Sequence, residues 1–175
     1  IITPLDEDAV RTGLQDHFCY GYRSLAIVLM HGYRFTSHEQ RLAEIARDIG
    51  FTQVSVSHEV SPLIKFISRG DTTVADAYLS PVLQRYVDQV QHDLKGVPLM
   101  FMQSNGGLTS ANLFRGKDSI LSGPAGGVVG AAGTTAMAGF DKVIGFDMGG
   151  TSTDVSHYAG TFERAFETQV AGVRL

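Results

Sequence analysis

Residues 142–156 read KVIGFDMGGTSTDVS, and they concentrate the residue types that do chemistry. An apolar run ends in Asp147; Gly149 and Gly150 follow, then the hydroxyls of Thr151, Ser152 and Thr153, then Asp154 and a second apolar run. The pattern predicts two strands joined by a tight turn whose glycines adopt backbone angles closed to other residues. With no side chains in the way, several N–H groups of such a turn face one point and bind an anion such as phosphate. A carboxylate does not bind phosphate, but Asp147 and Asp154 suit a hydrated Mg²⁺ or an attacking water. Phosphate donors flanked by two carboxylates point to metal-assisted nucleotide chemistry; the plain alternative is a hairpin that simply turns on its glycines.

A second candidate is Ser104, Asn105, Gly106 and Gly107, which follow an apolar strand end, where α/β sheets bind ligands. Asn105 is placed to donate to a substrate carbonyl or a phosphate; a glycine turn after a strand explains the same residues equally well. Ser122, Gly123 and Pro124 either contact a ligand or start a helix. Gly123 and the glycines after it do not form G-x-G-x-x-G, which excludes the dinucleotide fingerprint. His31, His38-Glu39 and His58-Glu59 invite a metal reading, but none has H-E-x-x-H spacing and Pro62 stands four residues after His58. They read as polar residues at strand ends and helix starts. Cys19 is the single cysteine, so neither an internal disulfide nor a multi-cysteine zinc site is available.

The elements that must position these groups alternate between helix and strand, the signature of an α/β chain. Thr3-Pro4 and the acidic Asp6, Glu7 and Asp8 predict a helix start, with the helix running to about Tyr20. Leu25–Met30 is a continuous apolar run short enough for a strand buried on both faces. Ser37 and Gln40 have capping-box spacing ahead of a helix that Gly50 ends. Thr52–Ser57 reads as a strand and residues 58–69 as a loop. From Asp71 to Lys95 the apolar positions Val74, Ala77, Tyr78, Val82, Tyr86, Val90 and Leu94 predict a helix that Pro81 kinks or splits. Pro98–Gln103 is a strand, Ile120-Leu121 end a short one, Ala125–Met137 is a helix of small residues and Val143–Phe146 is a strand. Val155–Tyr158 and Phe162–Phe166 are expected to pair around Ala159 and Gly160.

The 175 residues carry 14 Lys plus Arg against 18 Asp plus Glu, so a dedicated nucleic-acid surface is not expected. No apolar run reaches the roughly 18 residues of a membrane span, and a lone cysteine suits a reducing cytoplasm. Ile1 in place of Met is read as a cut from a longer polypeptide.

DMGGTSTDVS resembles the second phosphate-binding hairpin of the actin, sugar-kinase and heat-shock-chaperone ATPase superfamily, D-[LI]-G-G-G-T-x-D-V. Asp147, Gly149, Gly150, Asp154 and Val155 match; Thr151 replaces the third glycine and Ser152 keeps a hydroxyl. Together with MQSNGGL (residues 102–108) and LSGPAGGVVGA (residues 121–131), the chain resembles the family of hydantoinase A and 5-oxoprolinase, with the related acetone carboxylase subunit. HGYRFTSHE, SHEVSP and TTVADAYLSP are weaker echoes in family order; Gly32, Phe35-Thr36 and Asp76 depart from the common Ser, Asn-Pro and Asn.

The resemblance implies ribonuclease H-like, actin-like ATPase lobes. Residues 1–139 would belong to the first lobe with its connecting helix, and 140–175 would begin the second. It implies ATP and Mg²⁺ as cofactors, with phosphate held by Gly149, Gly150, Thr151 and Ser152. Asp147 would hold the metal through water and Asp154 would brace it; Asn105, Gly106 and Gly107 would face the substrate. The implied reaction opens a cyclic amide (a hydantoin, N-methylhydantoin or 5-oxoproline) after phosphorylation of the amide oxygen. The isolated chain would be inactive without the missing lobes, and a hydantoinase B type subunit is an implied partner. An acetone-carboxylase-type subunit and a nucleotide-gated binding module are the alternatives.

Overall fold

The computed structural model describes residues 3–163, 165, 168–170 and 172–174. It is mixed α/β and divides into two compact units, Ile1–Arg85 with Glu167–Leu175, and Tyr86–Phe166.

In the first unit, α1 (Glu7–Cys19) is capped by Asp6, whose Oδ1 accepts from the Ala9 N–H at 3.0 Å. The cap is thus the first acidic residue, not Thr3. β1 (Ser24–Ile27) and β2 (Gln53–Val56) pair in parallel from Ser24↔Gln53 to Ile27↔Val56. Parallel strands need a crossover, and α2 (Ser37–Ile49) supplies it. Thr36 is its N-cap residue and makes no side-chain cap bond, so the expected capping box does not form; Gly50 at φ 116° ends the helix as expected. Ile27, Ala43 and Val56 form the buried centre, with Leu25, Leu42 and Val54 packed against it.

Residues 58–69 are not simply a loop: α3 (Ser57–Val60) is one helical turn, and α4 (Phe66–Asp93) begins well before Asp71. α4 continues through Pro81. Its apolar stripe faces outward, with Val74, Tyr78, Val82 and Tyr86 all exposed, while Arg69, Thr73, Asp76 and Ala77 are buried. The polar side is buried because it is partnered. The Thr73 hydroxyl donates to the Arg69 carbonyl at 2.6 Å, and the Ser55 hydroxyl donates to Asp76 at 2.7 Å.

In the second unit, β3 (Met100–Met102) and β4 (Leu108–Ser110) form an antiparallel hairpin, followed by a 3₁₀ turn at Ala111–Leu113. The strand expected at Ile120-Leu121 is absent. α5 (Gly116–Ser119) precedes them, Ile120 is αR, and Leu121 is the N-cap of α6 (Ser122–Met137). β5 (Lys142–Met148) pairs antiparallel with β6 (Thr153–Ala159). The expected partner of β6, residues 162–166, shows no pairing with it among the described residues: the Phe162 ring packs on Tyr158 at 4.8 Å, and residues 164 and 166 lie outside the described residues. β7 (Gln169–Val170) and β8 (Val173–Arg174) make a short hairpin in the first unit. No helix among the described residues is long and apolar enough to cross a membrane.

Candidate functional site

The β5–β6 register puts Asp147 directly opposite Asp154, one pair before the hairpin's last, Met148↔Thr153. Residues directly opposite share a face, so both carboxylates continue the row of Val143, Gly145, Ser156 and Tyr158. α6 covers part of that row, Ala131 lying against Gly145. Both aspartates are exposed. Like charges set directly opposite are unfavourable in a sheet, so the fold gains nothing from this pair.

At the tip, the Gly149 N–H donates to the Ser152 carbonyl at 3.0 Å and closes a four-residue turn. That amide is committed to the chain itself, while those of Gly150, Thr151 and Ser152 make no hydrogen bond among the described residues. Neither Gly149 nor Gly150 has a positive φ, contrary to expectation. Space does not demand them either. A Cβ on Gly149 would come no nearer than 3.8 Å to the Ser152 oxygen, and one on Gly150 would meet nothing within 4 Å. The glycines leave an open approach to the backbone that the fold does not itself fill.

The Asn105–Gly107 turn behaves differently. Asn105 Oδ1 accepts from the Gly107 N–H at 2.7 Å, which leaves the Nδ2 amide as its donor. Gly106 has φ 82°, and a Cβ there would stand 3.2 Å from Val129 Cγ2. These glycines answer to the turn and to α6. Ser104 fastens the turn to the start of that helix, donating to the Asp118 carbonyl at 2.8 Å and accepting from the Leu121 N–H at 3.1 Å. α6 enters β5 through residues 138–141, and the two elements run in opposite senses. From the Ala131–Gly145 contact, nine helical residues back to Ser122 and four strand residues on to Gly149 each cover about 13 Å. The first turn of α6 and the hairpin tip therefore lie at the same end of this unit.

A third cluster lies in the first unit and was not legible as pairs in the sequence. Glu39, wholly buried, accepts from the Leu29 N–H at 2.7 Å, the Ser57 hydroxyl at 2.6 Å, the His58 N–H at 3.2 Å and His58 Nδ1 at 2.7 Å. Burial pushes its carboxyl upward, but hydrogen bonds from Ser57, His58 and the backbone outweigh burial and hold it below the ordinary value. Arg69, also wholly buried, donates Nε to Ser57 Oγ at 3.0 Å and its terminal nitrogens to the carbonyls of Leu63, Leu29 and Met30. The Ser57 hydroxyl thus relays between guanidinium and carboxylate. A Cβ at Gly32 would meet Glu39 Oε1, so in this chain a side chain there must displace the Glu39 carboxylate. The sequence offered His38-Glu39 and His58-Glu59 as neighbours; the hydrogen-bonded pair is Glu39 with His58, 19 residues apart. The only available signal was that Leu29 and Ser57-His58 follow two apolar strands.

The family model described as Hydantoinase/oxoprolinase matches residues 69–175, and the one for the Hydantoinase/oxoprolinase N-terminal region matches residues 1–50. The chain belongs to the hydantoinase/oxoprolinase family. It is 47% identical to the 5-oxoprolinase of Saccharomyces cerevisiae over 182 residues, covering 99% of this chain and 14% of that protein. Among solved structures it is similar to the ATP-dependent caprolactamase from Pseudomonas jessenii, with TM-score 0.84 and 32% identity over 99% of this chain and 26% of that one. It is also similar to an acetone carboxylase in its nucleotide-free structure, with TM-score 0.83 and 25% identity over 98% of this chain and 26% of that one. The chain therefore spans about one seventh of the length of the yeast relative.

Proposed function

We propose that this chain is an internal segment of an ATP-dependent hydrolase that opens a cyclic amide, 5-oxoproline or a hydantoin, after phosphorylation of the amide oxygen. The observation that carries the reading is the β5–β6 tip: open amides at Gly150, Thr151 and Ser152, glycines that the fold does not need, and two carboxylates side by side. Family membership and 47% identity to a 5-oxoprolinase support the reaction class.

An amide is a poor electrophile because nitrogen donates into the carbonyl; ATP supplies the phosphoryl group that removes this protection. The amides of Gly150, Thr151 and Ser152 hold phosphate, with Gly149 closing the turn behind them. The donor set also fits hydrated Mg²⁺: Asp147 positions it through water and Asp154 braces the shell. Asn105 Nδ2 donates to substrate, with Gly106 and Gly107 shaping its turn. Residues 1–139 belong to one actin-like lobe with its connecting helix, residues 140–175 begin the second, and the whole enzyme is cytoplasmic. A second subunit of hydantoinase B type completes it. Alone, the 175-residue chain neither hydrolyses ATP nor opens a ring.

The acetone carboxylase likeness favours a second reading, a carboxylase subunit sharing the ATP machinery, since the two structural neighbours score almost equally. An ADP-release screen of the complete enzyme with 5-oxoproline, hydantoin, caprolactam and acetone separates them. Release driven by 5-oxoproline or hydantoin and lost in Asp147→Ala supports the hydrolase. Release that requires acetone and bicarbonate overturns it.

A further inference from the structure

α4 hides a polar side and shows an apolar one. Val74, Tyr78 and Val82 are 57%, 76% and 55% exposed, while Arg69, Thr73 and Asp76 are wholly buried. Asp71 and Arg85 bracket the apolar three, and all five residues lie in the first unit. At about 100° per residue the five fall within an arc of about 80°, forming one stripe roughly 21 Å long. Arg85 is exposed and Asp71 half-buried. Neither side chain has a hydrogen-bonded or ionic partner among the described residues.

A contiguous apolar surface marks an interaction site, and the order of the residues says for what. From Asp71 the steps to Val74, Tyr78, Val82 and Arg85 are 3, 4, 4 and 3 residues, the same read from either end. Turned end for end about Tyr78, the stripe exchanges Val74 with Val82 and Asp71 with Arg85. Apolar residues land on apolar ones, and each terminal charge lands on its opposite. A surface that complements itself under a half-turn is what a two-fold dimer requires. Any other partner sets no such condition on the spacing or on the placing of the two charges.

We propose that the α4 stripe is the seat of a two-fold dimer, in which a second copy of this chain lays its own α4 antiparallel across it. Tyr78 meets its symmetry mate at the axis, where offset aromatic rings pack favourably. Val74 lies against the partner's Val82, and Asp71 pairs with the partner's Arg85, twice per dimer. Within one chain these two charges stand about 21 Å apart along the helix and cannot pair. The assignment stands independently of the ring-opening reading.

The test uses the complete enzyme, followed by sedimentation velocity over a dilution series. Asp71→Arg alone sets two cations against each other, and Arg85→Asp alone sets two anions. Each is expected to weaken dimerisation about 10- to 100-fold while keeping the wild-type circular dichroism. Mixed in equal amounts, the two variants restore both ion pairs in a heterodimer, which is expected to form about as tightly as the wild-type dimer. Tyr78→Glu places like charges at the axis and is expected to abolish the dimer. A wild-type enzyme that is monomeric throughout the series overturns the proposal, because the stripe is then covered by another segment of its own polypeptide or by a different protein. A dimer indifferent to both charge reversals, or variants that mixing does not rescue, overturns it equally. Should a charge reversal fail to fold, Tyr78→Glu decides alone, and dimerisation within threefold of wild type refutes the stripe.

Discussion

Glu39 sits wholly buried at the carboxyl ends of β1 and β2 and accepts four hydrogen bonds, whereas Asp147 and Asp154 oppose each other, exposed, beside the turn at the tip of the β5–β6 hairpin. At Gly32, Glu39 fills the space a Cβ would take, so any side chain must push the carboxylate aside; Gly150 has nothing within 4 Å of that position. One cluster is complete within the chain, and its residue types answer to the fold. The other is unfavourable by the chain's own terms and answers to something that comes to it. Stability and activity should therefore separate cleanly between the two.

The largest effect tests that separation directly. Glu39→Ala or Arg69→Met leaves the other charge buried without its relay, which costs about 3–5 kcal/mol. Urea titration is expected to show a collapsed midpoint or no folded baseline. Asp147→Asn and Asp154→Asn relieve a like-charge pair and are expected to shift stability upward by less than about 1 kcal/mol, while Asp147→Asn abolishes ATP turnover in the complete enzyme. Equal destabilisation by Glu39→Ala and Asp147→Asn would dissolve the contrast.

Next come the glycines. Gly32→Ala drives a methyl into the Glu39 carboxylate, with an expected cost of about 1–3 kcal/mol. Gly150→Ala meets no atom and needs no unusual φ, so it is expected to be neutral or to stabilise by up to about 1 kcal/mol. Its effect belongs to nucleotide affinity, measured by calorimetry on the complete enzyme. A Gly150→Ala chain that is strongly destabilised shows that the tip serves the fold.

The hairpin was legible because its signal is local: two apolar runs, an Asp at each end and a glycine pair lie within 15 consecutive residues. The two strands β1 and β2 and the helix α2 between them were legible for the same reason, as one strand–helix–strand run; their pairing was not. α4 was legible as a helix, but not its start before Asp71 or its buried face. Its apolar spacing at Val74, Tyr78 and Val82 predicted the helix, yet those residues are exposed, and buried hydrogen bonds at Thr73 and Asp76 turn the polar side inward. Periodicity weighs hydrophobicity and is blind to partners supplied by Ser55 from another element. Glu39, Ser57, His58 and Arg69 escaped for the same reason, since a pairing across 19 residues depends on two strands lying side by side.

A pH series sharpens the comparison with a smaller effect. The Glu39 carboxyl is held below its ordinary 4.5, so the folded chain binds its proton less readily than the unfolded chain. The stability this contributes is fully present above about 4.5 and is lost as pH falls through the lower folded value. Denaturant midpoints measured from pH 7 down to about 3 are expected to hold above 4.5 and fall below it, with Glu39→Gln showing a shallower fall.

The smallest effect belongs to the other carboxylate that a specific partner holds down. Glu7 lies below its ordinary value because Arg41 donates to it, at 2.7 Å and 2.9 Å, tying α1 to α2 across 34 residues. The geometry is bidentate, yet both side chains are more than 40% exposed, so water and salt compete for each charge. Glu7→Gln is expected to lower the melting temperature less than Glu39→Ala, Arg69→Met or Gly32→Ala does. That difference should vanish by about 1 M salt, where the Debye length is about 3 Å, while the penalty of Glu39→Gln persists. If the Glu7 pair proved as costly and as salt-resistant as the Glu39 cluster, distance from water would no longer be what distinguishes a structural charge in this chain.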